Sequence, residues 1–433
     1  MFINFFSKGK IIIIILLAGI LSFVFFGRNF WRFDKNFKKN SKENVSLERQ
    51  PKSSGKGDLG QGVIESVYPS PGQRIVPRNT AIAITFKEPM DIQSFRHNLQ
   101  IAETDGKPVI RIKAKGQDKY IQAKIKTAFE GKVVVLEPVS LLGSTSTVEW
   151  YTVELTDNIY KANGKKAFKN NFQWNFEVGN FVDKTPPYVF SHFPSYGSSP
   201  RNVVIQISFS EAINPIAVSY INVINNAGVP IKGRWEVSNQ YRTIEFLGTE
   251  CQTTNSCGDP VFCLPSNETI KIIVPSLEKE SDLKNKDTVF DFYGFADMAG
   301  NPLDGNRNKI IEGVEHDNYF FSFATNDELN LSAPQAPTIK NNQEKTKNNF
   351  NGFLEIKFSE LMMHSSLGKE GVKISPQVDY WITAVNLPFS DPAETWLKIN
   401  YSNSDPDILY TSKITSKVKN LYQECLKDKA KEE

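Results

Sequence analysis

From about Val63 onward, the chain consists of short runs in which apolar and polar residues alternate. AIAITF at 81–86 alternates in the way of a half-buried strand. Similar runs, each β-branched or aromatic and bounded by turn residues, follow at 133–138 (VVVLEP), 147–155 (TVEWYTVEL) and 171–178 (NFQWNFEV). No part of this stretch keeps a long amphipathic helical period. Many short strands separated by turns predict an all-β fold built of β-sandwiches.

One short phrase recurs at domain-sized intervals: TFKEPMD at 85–91, SFSEAIN at 208–214 and KFSELMM at 357–363. The strands around it recur in the same order. TIEFLG (243–248) follows the second phrase as VVVLEP follows the first, and YFFSFATN (319–326) closes the second segment as NFQWNFEV closes the first. This self-similarity indicates one structural unit used repeatedly. A catalytic motif is usually needed once, so the repeat points toward architecture.

The third segment has a weak opening, and the chain ends in KVKNLYQECLKDKAKEE, which is charged and has no strand pattern. Because a closing strand is missing, either this module is degenerate or the chain is a fragment of a longer polypeptide. The predicted parts are a signal anchor or transmembrane helix with flanks (1–33), a flexible polar linker (34–62), a first sandwich (63–180), a second sandwich with a cysteine-containing insertion (183–328) and a degenerate or truncated third module (333–433).

An apolar run of 16 residues without a charge, IIIIILLAGILSFVFF, occupies positions 11–26. As a helix it spans about 24 Å, slightly short of a typical hydrocarbon core. A cleaved signal peptide needs small residues at the cut site, and Phe25, Phe26 and Gly27 fit that pattern badly. We therefore expect an uncleaved anchor that contacts membrane lipid through residues 11–26, with a cleaved signal as the alternative. Either one places the chain on the secretory route.

The charge pattern bears on orientation and on partners. Arg28, Arg32 and Lys35 follow the apolar run, so a simple positive-inside count would keep the C-terminal bulk in the cytoplasm. The cysteines and the module type argue for export, and we predict that the bulk of the chain is extracellular or within the cell envelope. The formal net charge of +3 in 433 residues gives no case for nucleic-acid binding.

These motifs resemble the bacterial Ig-like domain of the SbsA (S-layer protein) type, in tandem copies. That family's pattern has a Pro-Gly turn, an I-x-F-S-E-P-M-D strand, a Y-x-V strand, a D-x-x-G-N loop and a closing F-x-F-x-T strand. The matching positions here are Pro71, Gly72, 86–91, Tyr151 and Val153 in the first module, 209–211, 297–301, Phe321, Phe323 and Thr325 in the second, and 358–360 in the third. The resemblance implies tandem Ig-like sandwiches and says little about a ligand.

The recurring phrase has a structural explanation that does not need the family. Phe86 faces the core, the acid that follows ends the strand, and Pro89 forbids a further ladder hydrogen bond. We predict Met90 to be a core plug and Asp91 to cap a short helical turn. The acids of the three phrases are then strand-end residues and not catalytic carboxylates: Glu88, Glu211 and Glu360.

The four cysteines are the most distinctive chemical feature. Cys251, Cys257 and Cys263 lie between two strands of the second module, in a C-x5-C-x5-C spacing that zinc sites do not favour. A disulfide that staples this loop after export is the simpler interpretation, and both Cys257–Cys263 and Cys251–Cys263 are feasible. The remaining thiol can pair with Cys425 or with another chain.

The loop FADMAGNPLDGNRN places Asp297, Asn301, Asp304 and Asn306 close together in sequence. Oxygen ligands at this spacing suit Ca²⁺, the one cofactor that the sequence offers. The alternative is a tight turn that binds no ion, because Gly and Asn accept positive φ. The final bidentate Glu of an EF-hand is also missing from this loop.

No other motif carries chemistry. The histidines are isolated, and neither H-E-x-x-H, G-x-S-x-G nor a phosphate-binding loop occurs, so we expect no enzyme. Five tryptophans offer sugar-stacking surfaces, although strand alternation places such residues in cores more often: Trp150, Trp174, Trp235, Trp381 and Trp396.

The sequence thus predicts a membrane-anchored cell-surface protein that serves as a spacer, adhesion module or envelope scaffold. Its expected partners are membrane lipid and either a cell-envelope glycan or another surface protein. One alternative is the non-catalytic N-terminal part of a larger exported enzyme that degrades polysaccharide or peptide. A sugar-binding module is a further alternative.

Overall fold

The computed structural model describes residues 59–96, 109–277, 294–314, 316–344, 350–375, 379–404 and 411–427. These residues belong to one compact unit, Ser53–Glu433. The predicted anchor at 11–26 and the predicted linker up to residue 58 lie outside them. In the described part of the chain, no helix has the length and apolar character needed to cross a membrane.

The first module is a sandwich of two antiparallel sheets. Its strands are β1 (Ile64–Tyr68), β2 (Ile82–Phe86), β3 (Ile110–Ala114), β4 (Ala123–Ala128), β5 (Val133–Pro138), β6 (Glu149–Leu155) and β7 (Phe172–Val178). We call the sheet β1-β2-β5-β4 its front sheet and the sheet β3-β6-β7 its back sheet. A short helix α1 (Gln93–Arg96) follows β2, and 3-10 turns occupy Leu59–Gly62 and Phe129–Gly131.

The second module repeats this plan and adds a hairpin. Its strands are β8 (Val189–Phe193), β9 (Ser198–Ser199), β10 (Ile205–Phe209), β11 (Asn222–Asn225), β12 (Arg234–Ser238), β13 (Thr243–Leu247), β14 (Thr249–Thr254), β15 (Pro260–Cys263), β16 (Thr269–Val274) and β17 (Tyr319–Thr325). The front sheet is β8-β10-β13-β12 and the back sheet is β11-β16-β17-β9, with a 3-10 turn at Pro215–Tyr220. The hairpin β14-β15 is the predicted cysteine-containing insertion.

The third module has a complete front sheet and a short back sheet. Its strands are β18 (Thr338–Glu344), β19 (Phe350–Phe358), β20 (Val372–Ser375), β21 (Asp379–Leu387), β22 (Glu394–Ser404) and β23 (Thr411–Ile414), with a 3-10 turn at His364–Leu367. The front sheet is β18-β19-β22-β21, and in the described residues the back sheet is the pair β20-β23. No described strand takes the place of β7 and β17, in line with the missing closing strand in the sequence.

The recurring phrase ties the front sheet of each module to one loop, which we call the crossing loop (159–167, 295–303 and 418–426). Each crossing loop is closed by a backbone bond between its ends, as in Ala167 N to Ile159 O at 2.8 Å and Leu426 N to Val418 O at 2.8 Å. The last residue of each phrase donates its N–H to the crossing loop, over 2.8, 3.0 and 2.9 Å in the three modules: Asp91, Asn214 and Met363. The phrase is therefore a structural fastening.

The residue before that donor plugs the core of its own module. Met90, Ile213 and Met362 are at most 2% exposed, and each forms an isolated bridge to its crossing loop. The predicted core position of Met90 is therefore present, and so is the predicted cap, because Asp91 Oδ1 accepts the N–H of Gln93 at 2.9 Å.

Replacing the plug of the first module tests this account. We expect Met90→Ala to lower the free energy of unfolding by about 2–5 kcal/mol, because a buried thioether side chain is lost and a cavity remains. Val139→Ala is the matched control, since Val139 is 54% exposed in the same module, and it should change stability by less than about 0.5 kcal/mol. Urea unfolding measures both, and equal effects would contradict the plug.

Candidate functional site

Besides the three module cores, the described residues form buried polar and apolar contacts at two junctions between modules. At the first junction, small side chains on the outer face of the first front sheet are at most 2% exposed: Ala81, Ala83, Val133 and Val135. Residues of the second module cover them, namely Ala212 from the recurring phrase, Tyr241 and Met298. An outer sheet face that is apolar in this way is a docking surface, because a solvated face would be polar.

An asparagine fastens the first junction. Asn79 Nδ2 donates to the carbonyls of Asp183 at 2.9 Å and Ala299 at 3.0 Å, and its Oδ1 accepts the N–H of Asp183 at 2.9 Å. Two residues later, Ala81 N donates to Met298 O at 2.6 Å. Asn79 is only 7% exposed, so its amide is committed to the linker and crossing loop of the next module.

The second junction repeats the same fastening with the equivalent residues. Asn202 Nδ2 donates to the carbonyls of Asn330 at 2.8 Å and Tyr422 at 2.9 Å, and its Oδ1 accepts the N–H of Asn330 at 2.9 Å. Two residues later, Val204 N donates to Leu421 O at 2.8 Å. Sequence reasoning missed both asparagines, although the matching strings PRNTAIAITF and PRNVVIQISF carry the signal.

The second junction also contains a buried polar network. The carboxylate of Glu245 accepts the N–H of His364 at 2.6 Å, the N–H of Ser365 at 3.1 Å and the Nε2 of Gln206 at 2.7 Å. Burial raises the pKa of Glu245, and burial lowers the pKa of His364 to about 4. The ring of His364 contacts Thr243 Oγ1 through Nδ1 at 2.9 Å. Two of the three donors to Glu245, the N–H groups of His364 and Ser365, are present only when the third module is docked.

Disulfides hold the inserted hairpin and attach it to the third module. The structure pairs Cys251 with Cys263 and Cys257 with Cys425. This is one of the arrangements that the sequence left open. The first pair closes the hairpin β14-β15, and the second joins the hairpin tip to the crossing loop of the third module.

Further contacts from the hairpin surround that crossing loop. Gln423 Nε2 donates to Phe262 O at 2.7 Å, and Phe262 N donates to Gln423 Oε1 at 2.8 Å. Lys419 Nζ lies 3.0 Å from Asp259 Oδ2, and this ammonium lowers the pKa of Asp259. The insertion therefore acts as a clamp on the second junction.

The four residues of the predicted calcium loop mainly close their own turns. Asp297 Oδ1 accepts the N–H groups of Ala299 and Asn301, each at 2.8 Å. Asp304 accepts the N–H groups of Asn308 at 3.1 Å and Lys309 at 2.8 Å, and Asn306 Nδ2 donates to Glu312 at 2.9 Å. These bonds are the turn geometry that the sequence gave as the alternative, and the calcium site stays a prediction.

Asp297 belongs to a different group of carboxylates at the first junction. Ligand oxygens of Asp183, Glu211 and Asp297 lie within 4.8 Å of one another, close enough to hold a metal ion. Burial, followed by the charges of the other two acids, raises the pKa of Glu211, and burial raises the pKa of Asp297. Sequence reasoning placed Glu211 at a strand end but did not bring these acids together, because they come from a linker, a phrase and a crossing loop.

The residue that faces the acid of the phrase differs among the three modules. The acid of the phrase faces a lysine in the first module, where Lys161 Nζ lies 2.7 Å from Glu88. In the third module it faces an amide, with Asn420 Nδ2 donating to Glu360 at 3.1 Å. In the second module, Asp297 takes the place of that cation or donor. The Glu211–Asp297 pair therefore gains from a bound proton or cation.

The five candidate tryptophans are in different environments. Trp174 is 1% exposed, and its Nε1 donates to Pro69 O at 2.9 Å. Trp150 lies under the guanidinium of Arg74, and Trp235 packs against Phe246. Trp396 is half-buried beside Lys357, whereas Trp381 is 41% exposed. Trp381 therefore remains the best placed of the five for an external contact.

Comparison with known proteins supports the module type. Residues 61–178 match the family model described as bacterial Ig-like domain, so the resemblance predicted from the sequence is confirmed. No curated protein matches the chain.

Similar solved structures include three distant ones. The copper resistance protein PcoC of Escherichia coli is 15% identical over 27% of this chain and 95% of that chain, with a TM-score of 0.19. The S-layer protein SbsC is 8% identical over 82% of this chain and 53% of that chain, with a TM-score of 0.22. Titin domains I67–I69 are 9% identical over 82% and 94%, with a TM-score of 0.15. At these TM-scores the likenesses say nothing about function.

A pH-dependent stability follows from the acid pair. Because its carboxyl pKa values are raised in the folded state, the folded chain holds protons that the unfolded chain releases, and stability falls as pH rises above the ordinary carboxyl range. We expect Glu211→Gln to remove much of this loss, so that with chelator present its melting temperature exceeds that of the parent protein at about pH 8 and approaches it at about pH 5.

Glu88→Gln is the matched control, because Lys161 already pairs with Glu88 and no gain is expected at either pH. A lower melting temperature for Glu211→Gln at about pH 8 would contradict the account. The same melts with added Ca²⁺ test whether the group Asp183, Glu211 and Asp297 holds a cation. A cation held by these carboxylates stabilises the parent protein, and Glu211→Gln loses that stabilisation.

The clamp predicts a protected second linker. We expect Cys257→Ser with Cys425→Ser to destabilise docking of the third module by about 2–4 kcal/mol, and so to speed cleavage after the exposed linker residue Glu328 by a glutamyl endopeptidase. Cys251→Ser with Cys263→Ser is the control, since that pair lies within the hairpin. Equal cleavage rates in the two double variants would contradict the clamp.

Proposed function

We propose that this chain is a non-catalytic, membrane-anchored cell-surface spacer whose modules are held at fixed positions relative to one another. In this proposal the apolar run at 11–26 inserts in the membrane, the polar linker gives reach, and the docked modules present a distal surface as an adhesion module or envelope scaffold.

The observation that carries the proposal is the repetition of one fastening at both junctions. Asn79 and Asn202 make the same three hydrogen bonds to the following linker and crossing loop. A chain whose modules only needed to be tethered would have no use for a buried, fully bonded amide at each linker, because a solvated linker is sufficient for a tether. A repeated, buried fastening suits a protein that must transmit position.

Two further observations support a location outside the cytoplasm. The four cysteines form two disulfides, and such bonds persist in oxidising compartments. The first module matches bacterial Ig-like domains. A surface spacer is consistent with both.

Protease treatment of intact cells tests the proposal. We expect externally added trypsin to degrade the modules without cell lysis, and the chain to stay in the membrane fraction after an alkaline carbonate wash. A variant with Ile14→Arg and Leu17→Arg should leave the membrane fraction, because charges within a hydrophobic span are costly. Modules that are cut only after lysis would contradict the surface location.

A further inference from the structure

The third module presents the same outer sheet face that the first two modules use for docking. In each front sheet the buried phenylalanine of the phrase fixes the register, and an asparagine stands seven residues before it. Phe86, Phe209 and Phe358 are those phenylalanines, at most 2% exposed. Counting back from them aligns Asn79 and Asn202 with Asn351, and aligns Ala81 and Val204 with Phe353. Phe353 is thus the third module's counterpart of Ala81 and Val204, the sheet residues that the next module covers.

This face is aromatic and partly open to solvent. Phe353 lies in register with Asn400 on β22, and Asn400 lies in register with Trp381 on β21. Trp381 is 41% exposed, and Phe353 is half-buried with the ammonium of Lys398 4.1 Å from its ring. The equivalent side chains in the other modules, Ala81 and Val204, are fully buried under the next module.

The first module carries the complementary docking end. In the second and third modules the crossing-loop residues Met298 and Leu421 are at most 2% exposed, because they sit on the preceding module. The equivalent residue of the first module is Ala162, whose N–H bonds to Pro89 O at 3.0 Å as that of Met298 bonds to Ala212 O at 3.2 Å. Ala162 is exposed.

Side-chain sizes at the facing positions compensate one another along the chain. The first junction pairs a small sheet residue, Ala81, with a long crossing-loop residue, Met298. The second pairs Val204 with Leu421, which are both of middle size. Of the two equivalent residues that no other module covers, Phe353 on the sheet is large and Ala162 in the crossing loop is small. Packing at native density needs this kind of complementarity.

A neighbouring turn also carries a smaller residue in the first module than in the second. Residues 129–131 and 239–241 share a run of left-handed backbone, with φ between 51° and 86°. Tyr241 in the second turn packs on the first module and bonds to Thr85 Oγ1 at 2.9 Å. Its equivalent in the first module is Gly131, a buried residue that adds no side chain to this end of the module.

We propose that the outer front-sheet face of the third module binds the crossing-loop end of the first module of a second copy of this chain, so that copies associate head to tail. The site on one copy is centred on Phe353 and Trp381, and the site on the other on Ala162 in the crossing loop. In the third module, β18 pairs with β19 beside Phe353, with Asn342 opposite it. In the first two modules this edge is open beside Ala81 and Val204, whose N–H groups bond to the next module. The contact proposed here therefore relies on side chains. This inference concerns self-association and goes beyond the proposed surface location.

The two sites differ, so the interface is heterologous and does not close on itself in a dimer. Two copies joined in this way leave one free site of each kind. The average mass of the protein should therefore rise with concentration and should not stop at a dimer.

Two variants, one in each site, test the proposal with the full chain in detergent. Phe353→Glu places a carboxylate beside Lys398 on the outer front-sheet face of the third module. Ala162→Glu places a carboxylate on the crossing loop of the first module. We expect each variant alone to bind itself at least about tenfold more weakly than the parent protein. An equimolar mixture should form 1:1 dimers and nothing larger, because only one pair of intact sites remains. Light scattering after size exclusion measures the mass, and thermal melting checks that each variant folds.

The variant carrying both substitutions measures any association through other parts of the chain, including residues 11–26. Mixing that restores dimers above this background supports the proposal. A parent protein that stays monomeric up to about 100 μM, at the weak end of specific affinities, overturns it. Loss of association with Phe353→Glu but not with Ala162→Glu also overturns it, because that result indicates a face-to-face dimer or another partner for the aromatic face.

Discussion

The architecture depends on one constraint: the outer face of a front sheet is buried by the crossing loop of the next module. At the first junction this face is made of alanine and valine side chains that would otherwise be exposed to water. At the second it contains Glu245, whose carboxylate loses the N–H donors of His364 and Ser365 when the third module is not in place. Separation of the modules would expose apolar surface in one case and remove partners of a buried carboxylate in the other. The three sandwiches therefore behave as one body in the described part of the chain.

This constraint explains the roles of the residues in the recurring phrase. Its phenylalanine belongs to the core of its own module, and its next-to-last residue plugs that core. Between these two, the residue after the acid (Ala212 or Leu361) faces the preceding module and is less than 9% exposed. One strand end thus fixes both the inside of a module and its contact with a neighbour, which explains why the phrase recurs in each module.

Much of the fold could be predicted from the sequence, because alternation and turn residues act locally. The repeat of the phrase, the strands β2, β5, β6, β7, β13 and β17 and the core position of Met90 all followed from residues close together in the chain. The carboxylates Asp183, Glu211 and Asp297 could not be grouped in this way, since they meet only when the linker has packed against the phrase and the crossing loop of the second module. The asparagine fastening was visible as a repeated PRN string, but its role depends on carbonyl groups more than a hundred residues away. The cysteine spacing allowed two pairings, and only the position of the third module beside the hairpin distinguishes them.

The most direct test of the central claim is amide hydrogen exchange at Ala81 and Val204 in the intact protein. Both N–H groups lie at the start of a front-sheet strand and donate across a junction, to Met298 and Leu421. If the modules are docked, these two amides exchange as slowly as amides in the middle of β2 and β10, because exchange requires the junction to open. Exchange as fast as that of an exposed loop amide would show that the modules move independently and would contradict the account.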